Sequence, residues 1–108
     1  MNITFKATNT TLTDSIRTSF EEKLSHLEKF LKPEDKIHVE VEVDQHHNSG
    51  DVFRVEIHIK PGGQYAEAAG SDFYEALDLC LPKIKEQLAK AKDKKVSLRR
   101  RIANVFKS

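Results

Sequence analysis

Two stretches in the middle of the chain alternate strictly between apolar and polar residues. In residues 37–43 every odd position is Ile or Val, and in residues 53–59 every odd position is Phe, Val or Ile. Because successive side chains of a strand point to opposite faces, the pattern predicts two strands with one buried and one wet face. The polar positions carry no second apolar stripe, so the sheet is expected to be covered on one side only.

Shorter patterns of the same kind flank these strands. Residues 2–7 place Ile3 and Phe5 on one face, and residues 64–69 form a weaker pattern after a turn at Pro61-Gly62-Gly63. Since the links between the last three predicted strands are too short for parallel crossovers, those strands are predicted to form an antiparallel meander.

Two longer segments repeat apolar residues at helical spacing. The first covers residues 14–31, with Thr13 or Thr11 as the expected N-cap and Pro33 beyond its end. The second begins after Ser71-Asp72, either of which is suited to cap a helix.

Pro82 falls inside the apolar pattern of the second helix. Proline removes a backbone hydrogen bond, yet the apolar register continues in phase from Leu81 to Ile84. One kinked helix is therefore predicted rather than two separate helices. The predicted order is β-α-β-β-β-α, an α+β fold in which two roughly parallel helices pack on one face of a four-stranded sheet.

Charge is segregated along the chain. Residues 83–108 hold ten of the 18 basic residues against two acidic ones, a net charge of +8, whereas residues 1–82 carry −7. The overall charge of +1 hides this separation. Lysines on a helix are usually a solvated face, but segregation of this size favours a surface that binds a polyanion.

The basic residues also occupy particular faces of the helices. At about 100° per residue, Lys83, Gln87, Lys90 and Lys94 line one shoulder of the apolar stripe, and Lys85 and Lys92 line the other. In the first helix, Arg17 and Lys23 fall on opposite shoulders of the stripe. Two cationic shoulders beside a buried stripe are the predicted contact surface.

The chain is expected to form one domain over residues 1–95, followed by a basic tail over residues 96–108. The tail is a disordered arm that orders on RNA, a solubilising appendage, or an amphipathic turn that docks on the domain or a partner through Ile102, Val105 and Phe106. Cys80 is the one cysteine, and its apolar neighbours predict a buried, reduced and inert thiol. Neither a signal peptide nor a membrane-spanning run is recognisable, so a cytoplasmic protein is expected.

Catalytic motifs are missing from the sequence. It has no Gly-rich phosphate loop, no HExxH helix and no nucleophile motif, so neither enzymatic activity nor a cofactor is predicted. His46-His47 lacks a supporting cysteine, which favours a solvated loop over a metal site. Phe73 is expected in the core and Tyr74 as a partly buried packing residue, rather than as platforms for bases.

Two motifs resemble a known family. Residues 2–31 pair a short strand with a helix that carries Arg17 and a Lys-Leu-x-x-Leu-Glu-Lys run, and Asp72–Asp78 reads Asp-Phe-Tyr-Glu-Ala-Leu-Asp. Lys83-Ile84 and a Gln-Leu-x-Lys-x-Lys-Asp-Lys run from residue 87 follow. Together these residues are similar to the ribosome hibernation-promoting factors, also called ribosome-associated inhibitor A or protein Y, over residues 2 to about 95.

The resemblance implies a bacterial protein that binds the small ribosomal subunit near the decoding region. It would occupy the mRNA and tRNA channel and silence translation during stress or stationary phase, as a monomer off the ribosome that binds neither DNA nor membrane. Ribosome modulation factor is a second partner in part of the family. The RNA-binding residues expected from the resemblance, the shoulder geometry and the basic tail are Arg17, Lys23, Lys29, Lys83, Gln87, Lys90, Lys92, Lys94, Lys95, Arg99, Arg100 and Arg101.

Three features depart from the family pattern. Pro82 stands where members usually continue with a polar residue, and Glu86 stands where some have Arg. The tail is basic, unlike that of the protein Y branch, and is too short to be the dimerisation domain of the long forms. A short form is therefore expected.

Two other functions fit the charge pattern. A general double-stranded RNA-binding module has similar elements, but such modules carry a Lys cluster where this chain has Ser71-Asp72. A regulator that binds an acidic protein through the tail is the third hypothesis.

Overall fold

The computed structural model describes the backbone of residues 2–45 and 50–107 and the side chains of residues 2–45 and 50–91. The predicted His46-His47 loop therefore lies outside the described residues. The elements in chain order are β1 (Asn2–Thr8), α1 (Asp14–Leu24), a 3-10 segment (Ser25–Phe30), β2 (Lys36–Asp44), β3 (Val52–Lys60), β4 (Tyr65–Gly70) and α2 (Phe73–Lys107). The predicted α+β order is confirmed.

The four strands form one mixed sheet in the order β1-β2-β3-β4. β1 runs parallel to β2, with Ile3 opposite Ile37, while β2, β3 and β4 form the predicted antiparallel meander. The parallel pair follows from the chain passing through α1 between the two strands, because a parallel pair requires a crossover.

The first predicted helix is shorter than the pattern indicated. Thr13 caps it, with its hydroxyl accepting a hydrogen bond from the Ile16 amide at 3.2 Å, but the α-helix ends at Leu24. The prediction of one α-helix over residues 14–31 was wrong beyond that point, where a 3-10 segment follows. The Ser25 hydroxyl donates to the Glu22 carbonyl, a local bond that competes with the helical ladder. Three residues per turn keep Leu24, Leu27 and Phe30 on one face.

The core lies between the sheet and the helices. It contains the inward residues of β2 and β3, Phe20, Leu24 and Leu27 from the first helical region, and the stripe of α2. Removing these side chains from water is the main stabilising term of such a fold. Phe73 lies in this core as predicted, and its ring meets Phe53 edge-on at 4.9 Å.

α2 continues through Pro82, which confirms the prediction of a single helix, while the kink stays a prediction. Asp72 caps its start, where the carboxylate accepts a hydrogen bond from the Glu75 amide at 2.7 Å. Cys80 is fully buried and unpaired, in agreement with the expected thiol. In the part of the chain that the structure describes, no helix is long and apolar enough to cross a membrane.

Candidate RNA-binding surface

Arg17 and Lys29 lie beside aromatic rings at the surface of the first helical region. The Arg17 guanidinium is 5.4 Å from the centroid of the Phe5 ring, and the Lys29 ammonium is 5.2 Å from that of Phe30. Both cations remain exposed to solvent. A cation over a ring is held in place by the ring's negative face, so both charges keep a defined position while facing outward.

Lys23 joins the two helices. Its ammonium donates to the Asp78 carboxylate on α2, with side chains 35% and 59% exposed. The two residues are 55 positions apart, so no local spacing in the sequence links them. Lys23 is thus partly neutralised within the molecule.

Lys83 and Gln87 reach the free edge of the sheet. The Lys83 ammonium donates to the Glu67 carbonyl at 3.1 Å. The Gln87 amide donates to the Tyr65 carbonyl at 2.6 Å and accepts from the Tyr65 N–H at 3.0 Å. Because β4 is an edge strand, its outward backbone groups have no strand partner, and these two side chains supply one. We call Lys83 and Gln87 the edge clasp.

Lys90 pairs with Glu86 one turn earlier on α2, at 3.0 Å, and both side chains are well exposed. Such a pair contributes little to stability and is readily exchanged for a stronger anion. Lys85, on the opposite shoulder, is also exposed.

The structure therefore gives each of the six described candidates a partner within the chain. The five cations each contact an aromatic ring, a carboxylate or a backbone carbonyl, all of which attract positive charge. Gln87 contacts the backbone of Tyr65. The side chains of the other six, Lys92, Lys94, Lys95, Arg99, Arg100 and Arg101, lie outside the described residues. The assignment of all twelve to RNA stays a prediction.

The opposite face of the sheet carries a row of carboxylates. The strand register places Glu40, Glu56 and Glu67 side by side on β2, β3 and β4, with Lys6 of β1 next to Glu40. Partial burial of Glu56 raises its pKa, and repulsion from Glu40 and Glu67 raises it further, while a hydrogen bond from Tyr65 acts in the other direction. Like charges opposite each other cost stability in a sheet. This row disfavours contact between the face and a polyanion.

The chain belongs to the family described as sigma 54 modulation protein / S30EA ribosomal protein, whose profile matches residues 2–96. This is the hibernation-factor family predicted from the sequence. It is a non-enzymatic family of ribosome hibernation and translation regulation, so both of those predictions are confirmed by membership.

The relatives support the same assignment. The ribosome hibernation promoting factor of Escherichia coli K12 is 28% identical over 94 residues, covering 87% of this chain and 96% of that protein. The ribosome hibernation promotion factor of Staphylococcus aureus COL is 33% identical over 84 residues, covering 78% of this chain and 44% of that longer protein.

Two solved structures share the fold. A ribosomal subunit interface protein from Coxiella burnetii superimposes with a TM-score of 0.68 at 24% identity, over 86% of this chain and 99% of that one. The N-terminal domain of protein Y from Thermus thermophilus gives 0.61 at 22% identity, over 83% and 98%.

Proposed function

We propose that this chain silences translation during stress or stationary phase by occupying the mRNA and tRNA channel of the small ribosomal subunit. One observation carries the proposal. Exposed cations of the first helical region and of α2 (Arg17, Lys29 and Lys90) belong to the layer that packs on one face of the sheet, whereas the carboxylate row lies on the opposite face. A two-faced molecule of this kind has one orientation in which it approaches RNA favourably.

Binding would rest mainly on phosphate contacts. Each Lys or Arg that neutralises a phosphate releases a condensed counterion, so affinity falls steeply with salt and depends little on base sequence. Exposed pairs such as Lys90–Glu86 cost little to open. The proposed RNA contacts also include the basic residues after Lys90, with residues 96–108 as an electrostatic arm. Association with ribosome modulation factor remains a prediction from the resemblance.

Co-sedimentation with purified small subunits over a range of salt concentrations tests the proposal. We expect the protein to travel with the subunits at low salt and to be released as salt rises. Residues 1–95 alone should bind more weakly, with a shallower dependence of affinity on salt, if the tail is an arm.

Two results would contradict the proposal. Protein that stays at the top of the gradient at low salt, while the subunits are intact, rules out ribosome binding. Equal affinity for a plain RNA duplex and for the subunit would instead favour the general double-stranded RNA-binding module.

A further inference from the structure

A cleft opens where the 3-10 segment, the turn between β3 and β4, and α2 come together. Its volume is about 460 Å³, within the range of small-molecule sites. Much of its wall is apolar, supplied by Phe30, Leu31, Pro61, Leu88 and Ala91. Among the described residues proposed to contact the ribosome, Lys29 lines this cleft.

Gln64 gives the cleft an unsatisfied polar group. The turn holds its backbone, since the Gln64 carbonyl accepts from the Ile59 N–H at 2.9 Å and the Ile59 carbonyl accepts from the Gly63 N–H at 2.8 Å. The Gln64 Oε1 atom is buried and has no hydrogen-bond partner among the described residues. A buried oxygen without a partner is destabilising, so binding of a ligand that donates a hydrogen bond to Gln64 Oε1 is favoured.

Gly62 makes room for this amide. A Cβ atom on residue 62 would lie 2.3 Å from Gln64 Oε1, closer than two non-bonded atoms approach, so the end of the Gln64 side chain would have to shift. The backbone of Gly62 does not have a positive φ, so glycine is not required there by the chain conformation. What glycine provides is space for the Gln64 side chain.

The rim of the cleft carries cations. Lys29 and Lys32 both line it, and the Lys29 ammonium is held over the Phe30 ring. The Asp35 carboxylate also lines it, but accepts the Lys32 N–H at 2.9 Å and is buried. Glu34 is the exposed carboxylate of the lining and disfavours an anion beside it, which directs a phosphate to Lys29 and Lys32.

We infer that this cleft receives the base of one unpaired nucleotide of the RNA that the chain binds, which deepens the proposed function and rests on it. The base lies against the apolar wall, the Gln64 amide pairs with its polar edge, and Lys29 and Lys32 contact its phosphate. Splayed-out bases held between apolar or aromatic side chains and hydrogen-bonded at their edges are the usual means of reading single-stranded RNA.

Titration of the full chain with nucleoside 5′-monophosphates, followed by NMR, tests the inference without ribosomes. We expect saturable shifts of the Gln64 side-chain amide, the Gly62 amide and the Leu88 methyl groups. Ribose 5-phosphate, which has the phosphate but no base, should not produce them. Gly62→Ala, which displaces the amide, and Gln64→Leu, which removes it, should each weaken binding about fivefold or more. Gln45→Leu is the matched control, because this exposed glutamine directly follows β2 and does not line the cleft, and the variant should bind nucleotides normally.

Three results overturn the inference: no saturable shift at the cleft, equal shifts with ribose 5-phosphate, or unchanged nucleotide affinity in a folded Gly62→Ala variant. A failure of the proposed function gives a different result from a failure of this inference. A chain that binds nucleotides in the cleft but does not sediment with small subunits would refute ribosome binding and leave the cleft site standing.

Discussion

At the scale of single residues, a side chain's role depends on where tertiary structure places it. Cys80 illustrates this, because its apolar neighbours in the sequence predict burial and the structure buries the thiol fully in the core. Burial raises its pKa to about 11 from an ordinary value of 9.0, although the nearby Lys83 ammonium acts in the other direction. A neutral thiol in this position is a packing group and a poor nucleophile.

The Cys80 pKa predicts an alkaline loss of stability. Since the folded-state pKa is above the unfolded one, the thiol's contribution is fully present below pH 9 and declines as the pH rises towards 11. We expect the free energy of unfolding to fall across this window in the wild type and to fall less in Cys80→Ala. Urea denaturation at a series of pH values measures both slopes, and identical slopes would contradict the assignment.

At the scale of elements, the edge clasp connects α2 to β4. A free strand edge pairs readily with other chains unless something covers it. Here Gln87 takes the position of a neighbouring strand at Tyr65, and Lys83 does so at Glu67. Both residues therefore contribute to holding α2 against the sheet, in addition to the RNA contacts proposed for them.

Gln87→Ala tests the clasp. Losing two hydrogen bonds to Tyr65 should lower the free energy of unfolding by about 1–2 kcal/mol. Glu86→Ala is the matched control on the same helix, since it removes only an exposed ion pair and should cost under about 0.5 kcal/mol. Equal stability of the two variants in urea denaturation would show that the clasp contributes nothing.

The elements themselves were largely predictable from local pattern. The alternation in β2 and β3 indicates strands because an extended strand places every second side chain on the same face. The apolar stripe that stays in phase across Pro82 indicates a single helix. The end of α1 at Leu24 was not predicted, because apolar residues spaced by three suit α- and 3-10 helices alike. Lys23–Asp78 and Gln87–Tyr65 join residues 55 and 22 positions apart, which no periodicity reveals.

At the scale of the whole molecule, charge is segregated along the chain. The sequence shows +8 in the last 26 residues and −7 in the first 82, but only the fold shows that carboxylates line up across three strands. Family membership establishes ribosome hibernation as the setting. We propose that exposed cations of the helices meet ribosomal RNA while the carboxylate row of the sheet is turned away.

Inhibition of translation in vitro by charge-reversed variants tests this link most directly. Arg17→Glu/Lys90→Glu reverses two exposed cations of the helix face. Lys36→Glu/Lys60→Glu makes the same change in net charge at two exposed lysines that face each other on β2 and β3. We predict that the helix variant needs about tenfold more protein or higher for half-maximal inhibition, while the sheet variant inhibits like the wild type. Equal inhibition by the two variants, both folded, would contradict the account.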